Sequence, residues 1–196
     1  MLSFTELPFT IEFNRGILGS QPSRDVAIEY LSKKFVENGG ELPEDEIASL
    51  PEEVERATTY FHHDQDGKPF LFDYAVKGFF KEAARAFNGL HGVKALHSKV
   101  ERYVFVTPRE IPLIVPEGGE ISYLSRTLRA ETMQGPRVAI ARSEMLPPGT
   151  RAMFTVEYYT DGPITEEIIR DLLTYGMRMG LGQWRSGGYG TFRVIA

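Results

Sequence analysis

The chain has 196 residues, of which 42% are hydrophobic and 25% are charged, and it contains no cysteine. This composition predicts one soluble globular domain, spanning residues 1–196, with a sizeable core. Without cysteine the chain has no disulfide, no thiolate nucleophile and no cysteine-ligated zinc, as is compatible with a reducing cytoplasm. No run approaches the roughly 18 apolar residues of a membrane span, and the N-terminus lacks the basic region of a signal peptide. We therefore expect a cytoplasmic protein that does not contact a membrane.

The charge is unevenly distributed along the chain. The formal net charge is -5, which taken alone argues against a nucleic-acid partner. Residues 1–66, however, hold 5 Lys/Arg and 14 Asp/Glu, whereas residues 67–196 hold the remaining 17 and 13. The two parts thus carry net charges of -9 and +4. This asymmetry is typical of a basic binding face beside an acidic solvated one, and also of an acidic solvated insertion.

The N-terminal third begins with a strand. Residues 2–14 alternate Phe9, Ile11 and Phe13 with polar residues, and Pro8 is expected at the start of this strand or on a sheet edge. Ser23 is a good N-cap for a helix that closes at residues 38–40. The acidic, proline-punctuated residues 41–57 are predicted to be a surface insertion.

Residues 58–72 predict a β-hairpin, because two aromatic runs flank Asp66-Gly67. This segment holds the one local group of side chains that could bind a metal or transfer protons, namely His62, His63, Asp64 and Asp66. Adjacent residues of a strand point to opposite faces, so at most one of the two histidines can join a carboxylate in one site. We therefore expect polar hairpin residues rather than a catalytic or metal site, and we predict no cofactor.

A helix is predicted from Tyr74 to Gly89, with an apolar face and a stop at Asn88-Gly89. Lys77, Lys81 and Arg85 recur every four residues and therefore lie above one another on a single face. Such a stripe is either an ordinary solvated face or a contact surface for an anion.

The following segment is strand-rich. Tyr103–Val106 is predicted to be a strand, and the prolines of residues 108–116 confine the next strand to an edge. Residues 121–133 and a strand around Val138 carry spaced arginines, and residues 151–159 form a further strand. Arginines spaced along a strand pair suit a phosphate backbone, or pair with the acidic third of the chain; they are Arg126, Arg129, Arg137 and Arg142.

The C-terminal thirty residues combine a helix with a glycine-rich loop. Thr165 is the expected N-cap of a helix that reaches about Met179, and a short last strand covers residues 191–195. Between them, residues 180–190 read Gly-x-Gly, five residues, Gly-x-Gly. A dinucleotide cradle requires the helix to follow the loop, so this order disfavours a Rossmann site.

This arrangement of helix, paired glycine motifs and final strand resembles the C-terminal glycine-rich loop of the RAMP superfamily, the repeat-associated RNA-binding proteins of CRISPR systems. The segment that passes through Lys77-Gly78 into a basic helix also resembles backbone-type RAMP proteins, with Asp73-Tyr74-Ala75 in place of the usual Pro-Gly-Ser. The resemblance implies a ferredoxin-like (RRM-like) fold. The predicted element order agrees: α+β, a βαββαβ core with insertions, and an antiparallel sheet with helices on one face.

The resemblance implies an RNA-binding protein that is a subunit of a guide-RNA ribonucleoprotein, or a stand-alone or virus-borne relative that imitates or obstructs one. Its partners would be single-stranded RNA and other subunits or copies of itself. In this interpretation Trp184 or Tyr189 stacks on a base and Arg185 contacts phosphate. The loop residues assigned to RNA are Gly180, Gly182, Gln183, Trp184, Arg185, Ser186, Gly187, Gly188, Tyr189 and Gly190.

Two alternatives stay open at this point. A metal-independent repeat-processing endoribonuclease looks similar at the same loop and needs a general base such as His62 or His63 near the scissile 2′-OH. A structural or assembly protein would use the glycine loop only to close a sheet and would meet its partner through the acidic segment.

Overall fold

The computed structural model describes residues 3–22, 58–132 and 135–196. The helix predicted from Ser23 and the acidic insertion at residues 41–57 lie outside the described residues.

The described elements comprise twelve strands and four α-helices. The helices are α1 (Asp73–Ala86), α2 (Leu96–Tyr103), α3 (Glu166–Thr174) and α4 (Gly176–Met179). Turns of 3₁₀ helix cover Leu90–Gly92 and Arg185–Gly187. The strands are β1 (Phe4–Phe13), β2 (Ile17–Leu18), β3 (Gln21–Pro22), β4 (Thr58–Tyr60), β5 (His62–His63), β6 (Pro69–Phe72), β7 (Val104–Thr107), β8 (Glu110–Ile114), β9 (Ser122–Thr132), β10 (Gly135–Leu146), β11 (Arg151–Tyr159) and β12 (Phe192–Val194).

The main sheet contains a ferredoxin-like core. Four of its strands lie in the order β12-β1-β11-β7, and every neighbouring pair is antiparallel. In chain order these strands are the fourth, first, third and second, with α1 after the first and α3 after the third. This is the βαββαβ arrangement, so the predicted α+β, ferredoxin-like fold is confirmed. Strands β8, β6 and β5 extend the same sheet beyond β11.

One face of this sheet forms the core. Along β1 the odd positions from Leu7 to Phe13 are buried and the intervening residues are at least partly exposed, as the period of two in a strand requires. The buried residues of β1 and β11 belong to one apolar cluster together with Phe80 of α1, Val100 of α2 and Ile169 of α3. The helices therefore cover the buried face, and the residues of β1 and β11 on the other face are at least partly exposed.

Two proline positions differ from the sequence-based expectation. Pro8 lies in the middle of β1, and Pro112 lies in β8, which is flanked by β6 and β11 and is not an edge strand. Both prolines are tolerated because the pairing is staggered. β12 pairs with β1 only over Ile11–Phe13, and β11 pairs with β8 only at residues 113–114. At each proline the strand therefore has a neighbour on one side only. On the side without a neighbour, the missing N–H of the proline costs no ladder hydrogen bond.

A second sheet is built around the long hairpin of β9 and β10. Its order is β2-β10-β4-β3, with β9 pairing along β10. The hairpin is inserted between β8 and β11, and β2 connects it to the strand β1 of the main sheet. Because β10 alternates its residues between two faces, Ser143 and Glu144 point to opposite sides of this second sheet.

Candidate nucleic-acid interface

The helix that leads into the glycine loop begins as the sequence predicts. The hydroxyl of Thr165 accepts a hydrogen bond from the N–H of Ile168 at 3.4 Å, and Glu166 and Glu167 occupy the first turn. The helix is interrupted at Tyr175, where α3 gives way to the short α4. Gly176 allows α4 to lie close to β12, because a Cβ at this position would lie 2.0 Å from the Phe192 ring.

Glycines close the neck of the loop. The N–H of Leu181 donates to the carbonyl of Gly190 at 2.9 Å, and the N–H of Gly190 donates to the carbonyl of Gly16 at 3.0 Å. Gly190 has φ +69°, and a Cβ at this position would lie 1.7 Å from the Leu181 carbonyl oxygen. The backbones of the two loop ends therefore meet at a distance that only glycine allows.

The first half of the loop lies on β2. A Cβ at Gly182 would be 2.6 Å from the carbonyl oxygen of Leu18, and the Gln183 N–H donates to that same oxygen at 3.4 Å. The glycine loop is thus anchored on the second sheet as well as on β12.

Gln183 ties the loop tip to the second sheet through its side chain. Its amide oxygen Oε1 accepts hydrogen bonds from Arg126 Nη2 at 3.1 Å, Ser143 Oγ at 3.2 Å and Thr59 Oγ1 at 3.3 Å. Thr59 and Ser143 are also register partners on β4 and β10, and their hydroxyls are 2.9 Å apart. Side chains from three strands therefore converge on one amide oxygen of the loop, with Thr59 sharing its single hydroxyl hydrogen between Ser143 and Gln183.

Trp184, the one tryptophan of the chain, is packed by its neighbours and stays 40% exposed. Its ring stacks on Tyr189 with centroids 5.1 Å apart and an interplanar angle of 15°, and the Arg126 guanidinium lies 5.0 Å from its centre. A Cβ at Gly187 would be 2.7 Å from the indole. The residue also has φ +49°, a conformation that is unfavourable for a bulky side chain and that such packing must stabilise.

Arg126 is held between the hairpin and the loop. Its Nη2 bonds Gln183, whereas its Nε and Nη1 atoms are buried and have no acceptor among the described residues. The guanidinium lies against the indole of Trp184, so its contacts fix both the loop tip and the ring.

The opposite side of the loop is open. A groove of about 580 Å³ lies between the loop, α1 and α4. The Arg185 Nη1 atom is 2.7 Å from Glu82 Oε2 across this groove. Arg178 is exposed, and its side chain makes no hydrogen bond or ion pair with any residue in the described parts of the chain. The lining residues are Glu82, Arg178, Met179, Gly182, Trp184, Arg185 and Ser186.

The basic stripe of α1 is divided among different surroundings. Lys77 Nζ donates to the carbonyls of Val100 at 2.9 Å and Glu101 at 3.0 Å, and also to that of Val104, where α2 ends. Burial, followed by the nearby Lys81 charge, lowers the pKa of Lys77 to about 8. Lys81 pairs with the Glu101 carboxylate at 2.5 Å. Two of the three stripe residues thus stabilise α2, and Arg85 alone is exposed without such a partner among the described residues.

The hairpin register distributes the four predicted arginines over two faces. Arg126 pairs with Ala141 and Arg137 pairs with Ala130, which places these two positions on the face that carries Ser143. Positions 129 and 142 belong to the other face. There the Arg142 guanidinium lies 4.3 Å from the centre of the Tyr123 ring. Only Arg126 of the four is shown beside the glycine loop.

The two histidines of β5 have different neighbours. His62 stacks on Phe70 and meets the edge of Phe72, at centroid distances of 5.6 and 4.5 Å, and burial, followed by His63, lowers its pKa. His63 Nε2 is 3.3 Å from the buried carboxylate of Glu144.

An open pocket of about 430 Å³ brings His63 and Asp66 together beside β5, at the end of the main sheet. Glu144, which binds His63, points away from Ser143 and Gln183, so this pocket and the glycine loop belong to opposite faces of the second sheet. In the described ranges no group of three or more His, Asp or Glu residues is suited to hold a metal ion.

Four residues that shape the interface carried no signal in the sequence. Thr59 and Ser143 are 84 positions apart, and no spacing rule connects them. Glu82 is one of several charged residues on α1. Arg178 had the best chance of detection, since it lies in the last helical turn directly before the glycine loop.

Comparisons with known proteins identify a structural neighbour. No protein-family model matches the chain, and no curated protein matches it. Among solved structures, a chain from the cryo-EM structure of the Type III-B Cmr-beta bound to cognate target RNA is similar over 98% of this chain, with a TM-score of 0.55 and 14% sequence identity. This chain spans 59% of the length of that one. No helix among the described residues is long and apolar enough to cross a membrane. The likeness shows that this chain shares the fold of the matched part of that chain.

Proposed function

We propose that the chain binds single-stranded RNA at the glycine loop, as a RAMP-like protein. The observation that carries the proposal is the open side of the loop, where Trp184, Arg178 and Arg185 line one groove. An exposed aromatic ring beside arginines is the combination that binds unpaired nucleotides, because the ring stacks on a base and the guanidinium contacts phosphate.

The surroundings of the loop support this choice of surface. Among the described residues, the N–H groups of Trp184, Arg185 and Ser186 donate no hydrogen bond, whereas those of Gly187 and Gly188 are used within the loop. Gln183 and Arg126 hold the loop tip in place before any ligand arrives. A preorganised loop loses less conformational entropy on binding than a mobile one.

The structural neighbour gives the proposal its biological setting. That protein was solved in a complex with its cognate target RNA, and this chain shares its fold. We infer that this chain is a subunit of a guide-RNA ribonucleoprotein or a virus-borne imitation of one. Its partners would be RNA and other subunits or copies of itself, and its compartment the cytoplasm.

The position of the histidines favours binding over cleavage. The endoribonuclease alternative needs a general base beside the scissile 2′-OH of an RNA held by the glycine loop. His63 instead pairs with Glu144 on the other face of the second sheet, and His62 lies in an aromatic cluster. We therefore expect the RNA to remain intact.

The test is binding of a fluorescently labelled single-stranded RNA, followed by anisotropy at low and moderate salt. We expect salt-dependent binding, because phosphate contacts release counterions. The double variant Trp184→Ala/Arg185→Ala should weaken binding by about 1–3 kcal/mol, the cost of losing a stacked base or a charged contact.

A matched control removes the same two residue types elsewhere. Tyr74 and Arg109 form an exposed aromatic and cation pair at the start of α1, with the guanidinium 5.4 Å from the ring centre. The variant Tyr74→Ala/Arg109→Ala should bind RNA as the wild type does. Absence of binding by the folded wild type at low salt would instead support the assembly role, and RNA cleavage in the same samples would support the endoribonuclease.

A further inference from the structure

The groove beside the glycine loop has the size of a nucleotide site. Its volume of about 580 Å³ lies within the range of about 300–1,000 Å³ that is typical of small-ligand pockets. Its lining combines the apolar residues Met179 and Trp184 with charged side chains.

The charged residues of the groove are two arginines and one carboxylate. Arg178 has no charged partner among the residues that the structure describes, and Arg185 has Glu82 at 2.7 Å. The side chains of Arg185 and Glu82 are 37% and 50% exposed. An ion pair with this exposure is worth little, about 0–1 kcal/mol, so an anion from solution can separate it.

We propose that this groove holds one nucleotide of RNA, that Arg178 and Arg185 bind its phosphate, and that Glu82 occupies Arg185 until the phosphate displaces it. The inference rests on the proposed RNA-binding function and adds to it the residue that opposes binding.

The chemistry of the guanidinium explains the competition. Carboxylate and phosphate both offer two oxygens to the planar fork of arginine, so each satisfies the same donors. Once the phosphate has taken Arg185, the Glu82 carboxylate is left beside a like charge. Glu82 therefore lowers the affinity for RNA, and it favours strands whose contacts elsewhere along the loop are strong enough to offset the exchange.

The decisive variant is Glu82→Gln, which keeps the shape of the side chain and removes its charge. We expect it to bind single-stranded RNA about two- to fivefold more tightly than the wild type. The gain should become smaller when Arg185 is already changed to glutamine, because the competition for that guanidinium is then absent and only the repulsion between Glu82 and the phosphate remains. Arg178→Gln should weaken binding by about three- to tenfold, as the loss of one charged phosphate contact predicts.

Glu101→Gln is the matched control. Glu101 is also 50% exposed and also pairs with a cation, Lys81, at 2.5 Å, but it lies on α2 and does not line the groove. The two variants change the net charge equally, so a general electrostatic effect would raise the affinity of both to the same extent.

The outcomes separate the two proposals. Tighter binding by Glu82→Gln than by Glu101→Gln, with a smaller gain when Arg185 is absent, supports the inference. Equal affinities of the two variants, or a gain that is undiminished in the Arg185→Gln background, overturn it while RNA binding at the loop stands. If the folded wild type and Glu82→Gln both fail to bind at low salt, the proposed function falls together with the inference.

Discussion

The glycine loop has two sides that differ in what their polar groups contact. On the side of the second sheet, Gln183 Oε1 accepts three hydrogen bonds and Arg126 is held against Trp184. On the side of α1 and α4, Arg178 has no partner among the described residues and Arg185 has one exposed carboxylate. The same eleven residues thus form a closed side and an open side.

This difference shows how a glycine-rich loop can have a fixed backbone and still offer side chains to a ligand. The closed side uses glycine contacts and part-buried hydrogen bonds within the protein to fix the loop backbone. The open side keeps its charged groups exposed at little cost in stability. The closed side should therefore govern folding, and the open side should govern binding.

The largest effect is expected at the neck of the loop. Gly190→Ala places a Cβ against the Leu181 carbonyl at a residue with φ +69°, and should cost about 2–5 kcal/mol of unfolding free energy from strain and overpacking. Urea denaturation measures this cost. Gly67→Ala is the control, since Gly67 has φ +75° but no atom within 4 Å of the added Cβ. It should cost only about 1–2 kcal/mol. Equal costs would show that the neck contact does not stabilise the fold.

The next effect concerns the amide that joins the loop to the second sheet. Gln183→Leu leaves the part-buried donors of Arg126, Ser143 and Thr59 without this acceptor, and should lower the free energy of unfolding by about 1–3 kcal/mol. Because Trp184 is the single tryptophan, its emission should shift as the Arg126 contact loosens. Gln65→Leu, in the exposed hairpin turn, is the control and should change neither quantity. An unchanged emission spectrum would show that Gln183 does not position the loop tip.

A third prediction contrasts the partly buried Lys77 with the arginines that line the groove. Lys77 has a pKa of about 8 in the folded chain against the ordinary 10.5, so between these pH values the unfolded chain binds the extra proton. The contribution of Lys77 to the free energy of unfolding must therefore rise between pH 8 and pH 10.5. The unfolding free energy of the wild type minus that of Lys77→Met should therefore increase from pH 8 to pH 10.5. A difference that is constant or falls over this range contradicts the assignment.

The smallest effect is expected on the open side itself. Ser186 is exposed in the groove, and its side chain makes no hydrogen bond with the described part of the chain. Ser186→Ala should change the unfolding free energy by less than about 0.5 kcal/mol. A cost near that of Gln183→Leu in the same urea titration would remove the distinction between the two sides.

Much of the fold could be predicted because it depends on local pattern. Three features follow directly from a sequence period or a capping rule: the alternation in β1, the Thr165 cap and the apolar face of α1. The ferredoxin-like core follows from the order of these elements. The placement of Pro112 was wrong because an internal strand can carry a proline where the pairing on one side stops, and stagger is a property of the assembled sheet.

The interface was less predictable, because it depends on contacts between distant residues. Spacing correctly gave Lys77 and Lys81 a common face of α1, but the neighbour of that face is α2, a helix that the sequence did not reveal. The hydroxyls that meet Gln183 come from strands far apart in the chain. What the sequence did indicate was the loop itself, since its glycine spacing is a local feature.

The position of β1 has a consequence for how the chain acquires its structure. This first strand lies between β11 and β12, so its partners are about 140 and 180 residues away in the sequence. Pairing over such separations requires the closure of very long loops before any contact energy is gained, which slows folding. During synthesis β1 cannot form its native pairs until β11 and β12 have left the ribosome. The glycine loop, whose neck is bonded to Gly16 just after β1, can be completed only at that late stage.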